Sequence, residues 1–157
     1  MSSNAATITQ SDQLDFEQVK QIIPQRFPFL MLDRVVEIEP GIRVVGLKNL
    51  TGNEWFYQGH FPKKAVTPGA MIIEAIAQTG IVFFHIAQPD HRDVTYLMGS
   101  LKIRFIEPVW PGDQLRIEVR PVKLTSTAVI LSAEVRVEDR LVSKGEFALA
   151  AKANDLL

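Results

Sequence analysis

The segment from Pro68 to Phe84 constrains the fold of this 157-residue chain more than any other part of the sequence. Thr67 is a good N-cap residue, and Pro68 suits the first helical position, where its missing N–H costs nothing. Apolar side chains then surround nearly the whole predicted helix, and a helix that is apolar on all sides must be buried. A membrane span is not predicted, because Glu74 and Gln78 lie near the middle of the segment. The apolar positions are Met71, Ile72, Ile73, Ala75, Ile76, Ala77, Ile81, Val82, Phe83 and Phe84.

The second half of the chain predicts the surface that covers this helix. Apolar and polar residues alternate with a period of two over residues 101–105, 115–120 and 129–137. Such alternation is typical of antiparallel strands with one buried and one solvated face. Another strand is predicted at residues 43–51. One buried helix and about five such strands predict an α+β fold, in which a curved antiparallel sheet wraps around one long central helix. This arrangement is the hot-dog fold.

The chain is predicted to form a single domain from residue 12 to residue 152. Residues 1–11 are small and polar and are expected to be a flexible arm, and residues 153–157 are expected to be a C-terminal tail. Helical spacing of apolar residues predicts that the domain begins with a helix from Asp12, which Pro24 ends.

Composition argues against several kinds of partner and chemistry. The formal net charge is −1, which gives no reason to expect nucleic acid or an anionic membrane as a partner. The chain has no cysteine, so disulfides and thiolate chemistry are excluded. Its three histidines are scattered, and no metal site is predicted. The first ten residues do not have the pattern of a signal peptide, and a cytoplasmic location is expected.

Glu74 is the only charged residue between Thr67 and Phe84. Removing a lone ionised carboxylate from water costs several kcal/mol, so such a group tends to stay protonated. Gln78 lies one helical turn later on the same face. Two interpretations stay open at this point: Glu74 is a structural carboxylate that meets a backbone N–H or an arginine, or it is the acid of a functional site.

Two further candidates lie just before the helix and at its start. His60 lies in the run Q-G-H-F-P, where a neutral histidine suits a general base, although a single histidine is more often structural. Gly69 follows Pro68, where the free N–H groups of a helix favour negative charge, so its N–H suits a carbonyl oxygen that becomes enolate-like. Close packing is the alternative reason for this glycine. Base, acid and oxyanion donor together describe an elimination next to a carbonyl group.

Four sequence blocks resemble one known family. The run N-L-T-G-N-E-W-F-Y-Q-G-H-F-P at 49–62, followed by V-T-P-G-A-M-I-I-E-A-I-A-Q at 66–78, is similar to the signature of 3-hydroxyacyl-[acyl-carrier-protein] dehydratases of the FabZ type. The patch R-F-P-F-L-M-L-D-R at 26–34 and the turn P-V-W-P-G-D-Q-L at 108–115 resemble two further blocks. The resemblance covers the chain from about residue 14 to residue 150 and keeps the His60-to-Glu74 spacing of 14.

This resemblance implies a homodimer whose sheet is continuous across both subunits, often assembled as a trimer of dimers. It implies that His60 of one subunit works with Glu74 of the other, with the Gly69 N–H on the thioester carbonyl. The implied substrate is a 3-hydroxyacyl group on the phosphopantetheine arm of an acidic acyl carrier protein, and the product is a trans-2-enoyl thioester of fatty-acid or related chain elongation. The acyl chain is expected in a tunnel at the dimer interface, and no cofactor is expected.

Further candidate residues surround this implied site. Four are candidates for binding substrate, although the bulky apolar ones among them are more often ordinary core: Gln78, Phe83, Phe84 and Met98. Four cations are candidates for docking the carrier protein by charge complementarity, with plain solvated surface as the alternative: Lys63, Lys64, Lys102 and Arg104.

The chain departs from the family pattern at three places. Thr67 stands where the family usually has methionine or a similar apolar residue, and Gln25 stands where a histidine is common. Ser100 and Leu101 replace a usual Ile-Asp-like pair. Because Thr67 adjoins the site, the acyl preference is left open, and so is a role in a secondary pathway.

Three other functions compete with dehydration alone. An enzyme that also isomerises the new double bond is disfavoured, because the isomerising relatives carry aspartate where this chain has Glu74. A hot-dog thioesterase needs an activated water, which this motif does not favour. A non-catalytic acyl-binding subunit is disfavoured by the presence of His60, Gly69 and Glu74 together.

Overall fold

The computed structural model describes residues 13–90 and 93–154 of the chain. Two α-helices, one short 3₁₀ helix and six strands follow one another in this part of the chain. They are α1 (Phe16–Ile22), β1 (Arg34–Glu39), β2 (Arg43–Asn49), the 3₁₀ helix (Trp55–Gln58), α2 (Gly69–Ala87), β3 (Val94–Phe105), β4 (Gln114–Leu124), β5 (Ala128–Val137) and β6 (Arg140–Ala153).

The six strands form one antiparallel sheet in the order β1-β2-β4-β5-β6-β3. Its concave face packs on α2, which confirms the predicted α+β hot-dog architecture. The sequence does not predict β1 as a strand, because a register shift between Val35 and Glu37 interrupts the period of two. In β6, small residues such as Gly145 and Ala148 blur the contrast between the two faces.

The helix α2 forms the centre of the hydrophobic core, as its all-round apolar pattern predicts. By length and composition alone it also resembles a membrane span, but 61% of that window is buried inside the protein. The helix begins at Gly69, one residue later than predicted, with Pro68 as its N-cap. Thr67 does not cap the helix, because its hydroxyl is hydrogen bonded to the hydroxyl of Tyr57 at 2.7 Å. At the other end α2 extends beyond Phe84 to Ala87.

The structure adds detail at both ends of the predicted domain, whose bounds of 12 and 152 stay a prediction. The first helix begins at Phe16 rather than Asp12, because Asp15 and Gln18 form a capping box there. Ala153 ends β6, and the Asn154 N–H bonds to the carbonyl of Asp93, so hydrogen-bonded structure continues past residue 152. The predicted arm at 1–11 and the last residues of the predicted tail, 155–157, lie outside the described residues.

The strand β3 is an edge strand that positions part of the site. One side of this 12-residue strand bonds to β6, and among the described residues no strand bonds to its other side. Met98, Leu101 and Phe105 on β3 pair in register with Leu149, Phe147 and Ser143 of β6, all three of which are buried. Met98, Leu101 and Phe105 themselves are 37–47% exposed.

Candidate active site

His60 lies in a tight loop between the 3₁₀ helix and α2. Its Nδ1 atom is 2.8 Å from the carbonyl oxygen of Val66, and the Val66 N–H in turn donates to the His60 carbonyl at 3.0 Å. A carbonyl only accepts hydrogen bonds, so Nδ1 carries the proton. In the neutral form of this tautomer the lone pair is on Nε2, which is then the atom that can accept a proton.

The loop that carries His60 is anchored by a buried lysine. Lys48 on β2 is only 8% exposed, and its ammonium group lies 2.9 Å from Glu54 and 3.9 Å from Asp33. Burial raises the pKa of Asp33, and the Asn49 N–H and the charge of Lys48 oppose that rise. The ion pair with Glu54 holds the residue just before the 3₁₀ helix against β2, and the 3₁₀ helix then leads into the His60 loop.

Glu74 lies half-buried on α2, and two glutamine amides contact the same oxygen of its carboxyl group. The Gln78 Nε2 donates to Glu74 Oε1 at 2.8 Å, and the Gln25 Nε2 donates to it at 3.5 Å. Within the described residues, Glu74 Oε2 has no hydrogen-bond or ion-pair partner. The carboxyl group is therefore held through one oxygen, while the other is free to exchange a proton.

Backbone groups of the segment before β1 determine the orientation of the Gln78 amide. It is fully buried, and its Oε1 accepts from the N–H groups of Met31 at 2.8 Å and Leu32 at 3.3 Å. Its Nε2 donates to the carbonyl of Phe29 at 2.5 Å and to Glu74. All four hydrogen-bonding positions of the amide are therefore in use within the chain, one of them by Glu74. A role of Gln78 in binding substrate stays a prediction.

Gly69 opens onto a cavity of about 420 Å³. In the described part of the chain no group accepts a hydrogen bond from its N–H, as expected at the first residue of a helix. The cavity is lined by Thr67, Gly69, Ile72, Phe105, Ile106, Glu107, Pro108 and Val109. A carbonyl oxygen in this cavity would meet a free N–H at the positive end of a 19-residue helix.

Thr67, a departure from the family pattern, is 6% exposed and forms part of the wall of this cavity. Its N–H donates to the carbonyl of Val109 at 2.8 Å, which joins the His60 loop to the segment after β3. Burial raises the pKa of Tyr57, although the hydrogen bond with Thr67 lowers it in part, so this phenol stays protonated at neutral pH. The hydrogen bond with Tyr57 holds the Thr67 hydroxyl, a polar group of the cavity wall, in one position.

His60 and Glu74 do not meet within one chain. No hydrogen bond or ion pair joins them anywhere in residues 13–90 and 93–154. The structure thus brings Glu74, Gln78 and Gln25 together and brings His60 together with Val66, as two separate groups.

The other predicted substrate-binding residues are divided between core and surface. Phe83 and Phe84 are 2% and 0% exposed in the hydrophobic core, and the Phe84 ring lies 5.4 Å from that of Tyr96. Met98 is 37% exposed on β3. A role in lining an acyl tunnel stays a prediction for all three.

The four predicted docking cations lie in two places. Lys63 and Lys64 are exposed in the loop after His60, and the Lys64 ammonium lies 4.6 Å from the centre of the Trp110 ring. Lys102 and Arg104 line a groove of about 950 Å³ on the outer face of the sheet. The groove also holds two further cations and three carboxylates, so its charge is mixed: Arg120, Lys144, Glu118, Glu134 and Glu146.

Two contacts of the site have no signal in the sequence. Gln25 is identified there only as a departure from the family pattern, and Phe105 only as one apolar residue of an alternating strand. In the structure Gln25 contacts Glu74, and the Phe105 ring lies against Gly69. Both contacts join segments distant in the chain, so local pattern does not reveal them.

Comparison with known proteins shows the family of the chain. The model of the FabA-like domain family matches residues 23–146. The 3-hydroxyacyl-[acyl-carrier-protein] dehydratase FabZ of Geotalea uraniireducens is 50% identical over 111 residues, which cover 69% of this chain and 77% of that protein. FabZ of Anoxybacillus flavithermus is 42% identical over 141 residues, covering 88% of this chain and 99% of that protein.

A solved structure, the dehydratase heterocomplex ApeI:P from Xenorhabdus doucetiae, shares the fold with a TM-score of 0.71. Its identity is 16%, and the match covers 87% of this chain and 92% of that chain. The family match and the two close relatives confirm the resemblance found in the sequence blocks. The chain belongs to the FabZ-type 3-hydroxyacyl-[acyl-carrier-protein] dehydratases of the FabA-like family.

Proposed function

We propose that this protein removes water from 3-hydroxyacyl groups carried on an acyl carrier protein and yields trans-2-enoyl thioesters for fatty-acid or related chain elongation. The observation that carries this proposal is the state of the two ionisable groups. His60 has its Nδ1 proton bonded to Val66, which leaves Nε2 as a base, and Glu74 is held through Oε1, which leaves Oε2 as an acid.

In this reaction His60 Nε2 takes the proton from C2 of the substrate. The electron pair of that C–H bond first moves toward the thioester carbonyl, whose oxygen the Gly69 N–H stabilises, and then forms the C2–C3 double bond. The C3–O bond breaks, and the Oε2 proton of Glu74 joins the departing hydroxyl to make water. His60 is left protonated and Glu74 ionised, and proton exchange with solvent resets both.

We further propose that two copies of the chain share each site. Support comes from the 12-residue strand β3, whose outer edge bonds to no other strand in the described part of the chain and whose Met98, Leu101 and Phe105 are 37–47% exposed. A long apolar edge of this kind is a template for pairing with another strand. A second copy that pairs along this edge would cover the apolar side chains. The lack of contact between His60 and Glu74 within the described chain is consistent with a site that takes one residue from each copy.

The carrier protein is the proposed macromolecular substrate, and its proposed contacts are Lys63, Lys64, Lys102 and Arg104. Among the described residues, no carboxylate forms an ion pair with any of these four cations. Their charges are available to an acidic surface. One lysine from each of the two places can be tested with Lys63→Glu and Lys102→Glu, which should each raise KM several-fold for a carrier-bound substrate. The same variants should leave KM for a small thioester unchanged, and an equal rise for both substrates would contradict docking.

Hydration of a short enoyl thioester, the reverse reaction, tests the activity through loss of ultraviolet absorbance. We expect activity from the unaltered protein, and losses of about 10²–10⁴-fold in kcat for His60→Ala and for Glu74→Gln with unchanged thermal unfolding. Release of free thiol would indicate a thioesterase. Inactivity on every chain length would favour an acyl-binding subunit. A migrated double bond among the products of a 3-hydroxyacyl thioester would add isomerisation to the function.

The shared site is tested by mixing the two inactive variants. A heterodimer of His60→Ala with Glu74→Gln has one site with both residues intact and one with neither. Unfolding and refolding the variants together at equal amounts should therefore restore about a quarter of the activity of the unaltered protein. The same treatment of each variant alone is the control. A mixture no more active than the separate variants would contradict a site shared between subunits.

A further inference from the structure

Gln25 has an unusual environment for a half-buried amide. It follows α1, and its backbone is held by Arg26, whose guanidinium donates to the carbonyls of Gln25 at 2.7 Å and Ile23 at 2.8 Å. The Gln25 Nε2 donates to Glu74 Oε1 at 3.5 Å. The Gln25 Oε1 is buried, and no described residue donates a hydrogen bond to it.

Stability does not account for this side chain. A buried amide oxygen without a partner lowers stability, whereas an apolar side chain of similar shape fills the same space without that loss. The contact with Glu74 is long for a hydrogen bond, so it does not compensate fully. The Gln25 side chain therefore needs a reason other than stability, and its contact with the Glu74 carboxyl group supplies one.

The neighbouring Gln78 determines what the Gln25 contact does. Because two backbone N–H groups hold the Gln78 Oε1, this amide always presents its N–H to Glu74. Glu74 Oε1 is therefore an acceptor whether or not the carboxyl group is protonated. A second donor, from Gln25, further favours Oε1 over Oε2 as the accepting oxygen. When the carboxyl group is protonated, its proton is therefore on Oε2.

We propose that Gln25 is a positioning residue for Glu74. With Gln78 it holds Oε1 as the accepting oxygen and turns Oε2, with its proton, toward the hydroxyl of the substrate. The inference rests on the proposed role of Glu74 as the acid. The contact is expected to shorten when substrate fills the site, as catalytic hydrogen bonds often do.

The test compares Gln25→Met with Gln21→Met in the full chain. Methionine keeps the volume of glutamine and removes both polar groups, and Gln21 is an exposed glutamine on α1 four residues earlier. For Gln25→Met we expect kcat for hydration of a short enoyl thioester to fall about tenfold, KM to change less than twofold and Tm to stay equal or rise. Gln21→Met should change none of the three. Gln25→His, which restores an N–H donor, should recover most of the lost kcat.

An unchanged kcat in Gln25→Met would overturn the proposal, and so would a fall in kcat that comes with a matching fall in Tm, because that result indicates a structural role. The Glu74→Gln variant separates this inference from the proposed function. If Glu74→Gln is fully active, the acid assignment itself fails. If Glu74→Gln is inactive while Gln25→Met is normal, only the role of Gln25 fails. In the background of Glu74→Gln, Gln25→Met should cause no further loss.

Discussion

The ring of Phe105 lies against the α-carbon of Gly69, so closely that a β-carbon on this glycine would come within 2.7 Å of Phe105 Cζ. A side chain at this position would displace the Phe105 ring, so the glycine affects packing as well as leaving its N–H unshielded. The sequence left two roles open for Gly69, donation to a carbonyl oxygen and close packing, and the two are compatible. The contact with Phe105 allows them to be tested separately.

Gly69→Ala should lower both Tm and kcat, because Phe105 must move away from the start of α2. Adding Phe105→Ala to Gly69→Ala should restore much of Tm, since the ring that meets the new methyl group is gone. The measurements are thermal unfolding and enoyl thioester hydration. Gly52→Ala is the control, because its β-carbon would meet nothing within 4 Å. Normal Tm in Gly69→Ala would contradict the packing role.

The hydroxyl pair of Thr67 and Tyr57 should behave as a coupled unit. Thr67→Val leaves the buried Tyr57 hydroxyl without its 2.7 Å partner and should cost about 1–3 kcal/mol of unfolding free energy. Combining it with Tyr57→Phe removes both polar groups, so the double variant should be nearly as stable as the unaltered protein. Urea unfolding of the four proteins gives the coupling energy. Additive losses would mean that the two hydroxyls do not interact.

Gly145 on β6 should be needed for the attachment of β3. A β-carbon at this position would overlap the backbone carbonyl oxygen of Lys102 on β3, and a backbone atom in a paired strand cannot move aside. Gly145→Ala should lower the unfolding free energy by about 3 kcal/mol, at the upper end of common substitution effects. It should also weaken any assembly that uses the free edge of β3, measured by analytical ultracentrifugation.

The control for Gly145→Ala is Gly99→Ala on β3, where a β-carbon meets nothing within 4 Å. Equal stability of the two alanine variants would show that the close approach of the two strands at Gly145 is unimportant.

Glu118 should make stability depend on pH in the acid range. Burial raises its pKa, but the hydrogen bonds from Arg120 and Arg43 outweigh burial, so the pKa lies below the ordinary value of 4.5. A carboxyl group whose pKa is lower in the folded state stabilises the protein above its unfolded-state pKa, and this contribution is lost as the pH falls through the folded-state pKa. Glu118→Gln should therefore cost about 1 kcal/mol or less at pH 7, and the difference should shrink below pH 4.5.

Urea unfolding at several pH values measures this effect. Glu134 on the neighbouring strand pairs with Arg136 through side chains that are 50% and 42% exposed, so Glu134→Gln is a matched control with a smaller expected effect. A loss of stability in Glu118→Gln that stays the same from pH 7 to pH 3 would contradict the assignment.

The sequence by itself determined the central helix and the chemical character of the site. An apolar pattern on all sides of residues 68–84 requires burial, and a single carboxylate within it requires an explanation. The period of two in the second half predicts most of the sheet. It does not predict β1, where a register shift breaks the alternation. The motif around His60 and Glu74 identified the family, because four blocks in order retain the spacing of these two residues.

Only the tertiary structure decided which atoms of these residues are available for chemistry. The amide of Gln78 is oriented by backbone groups 46 and 47 residues earlier in the chain, and Glu74 Oε1 is contacted by Gln25, 49 residues earlier. Periodicity reports the face on which a side chain lies, because neighbours along one helix or strand share its geometry. The hydrogen bonds across elements depend on how the α1 segment, α2 and the sheet pack together, and no local pattern records that packing.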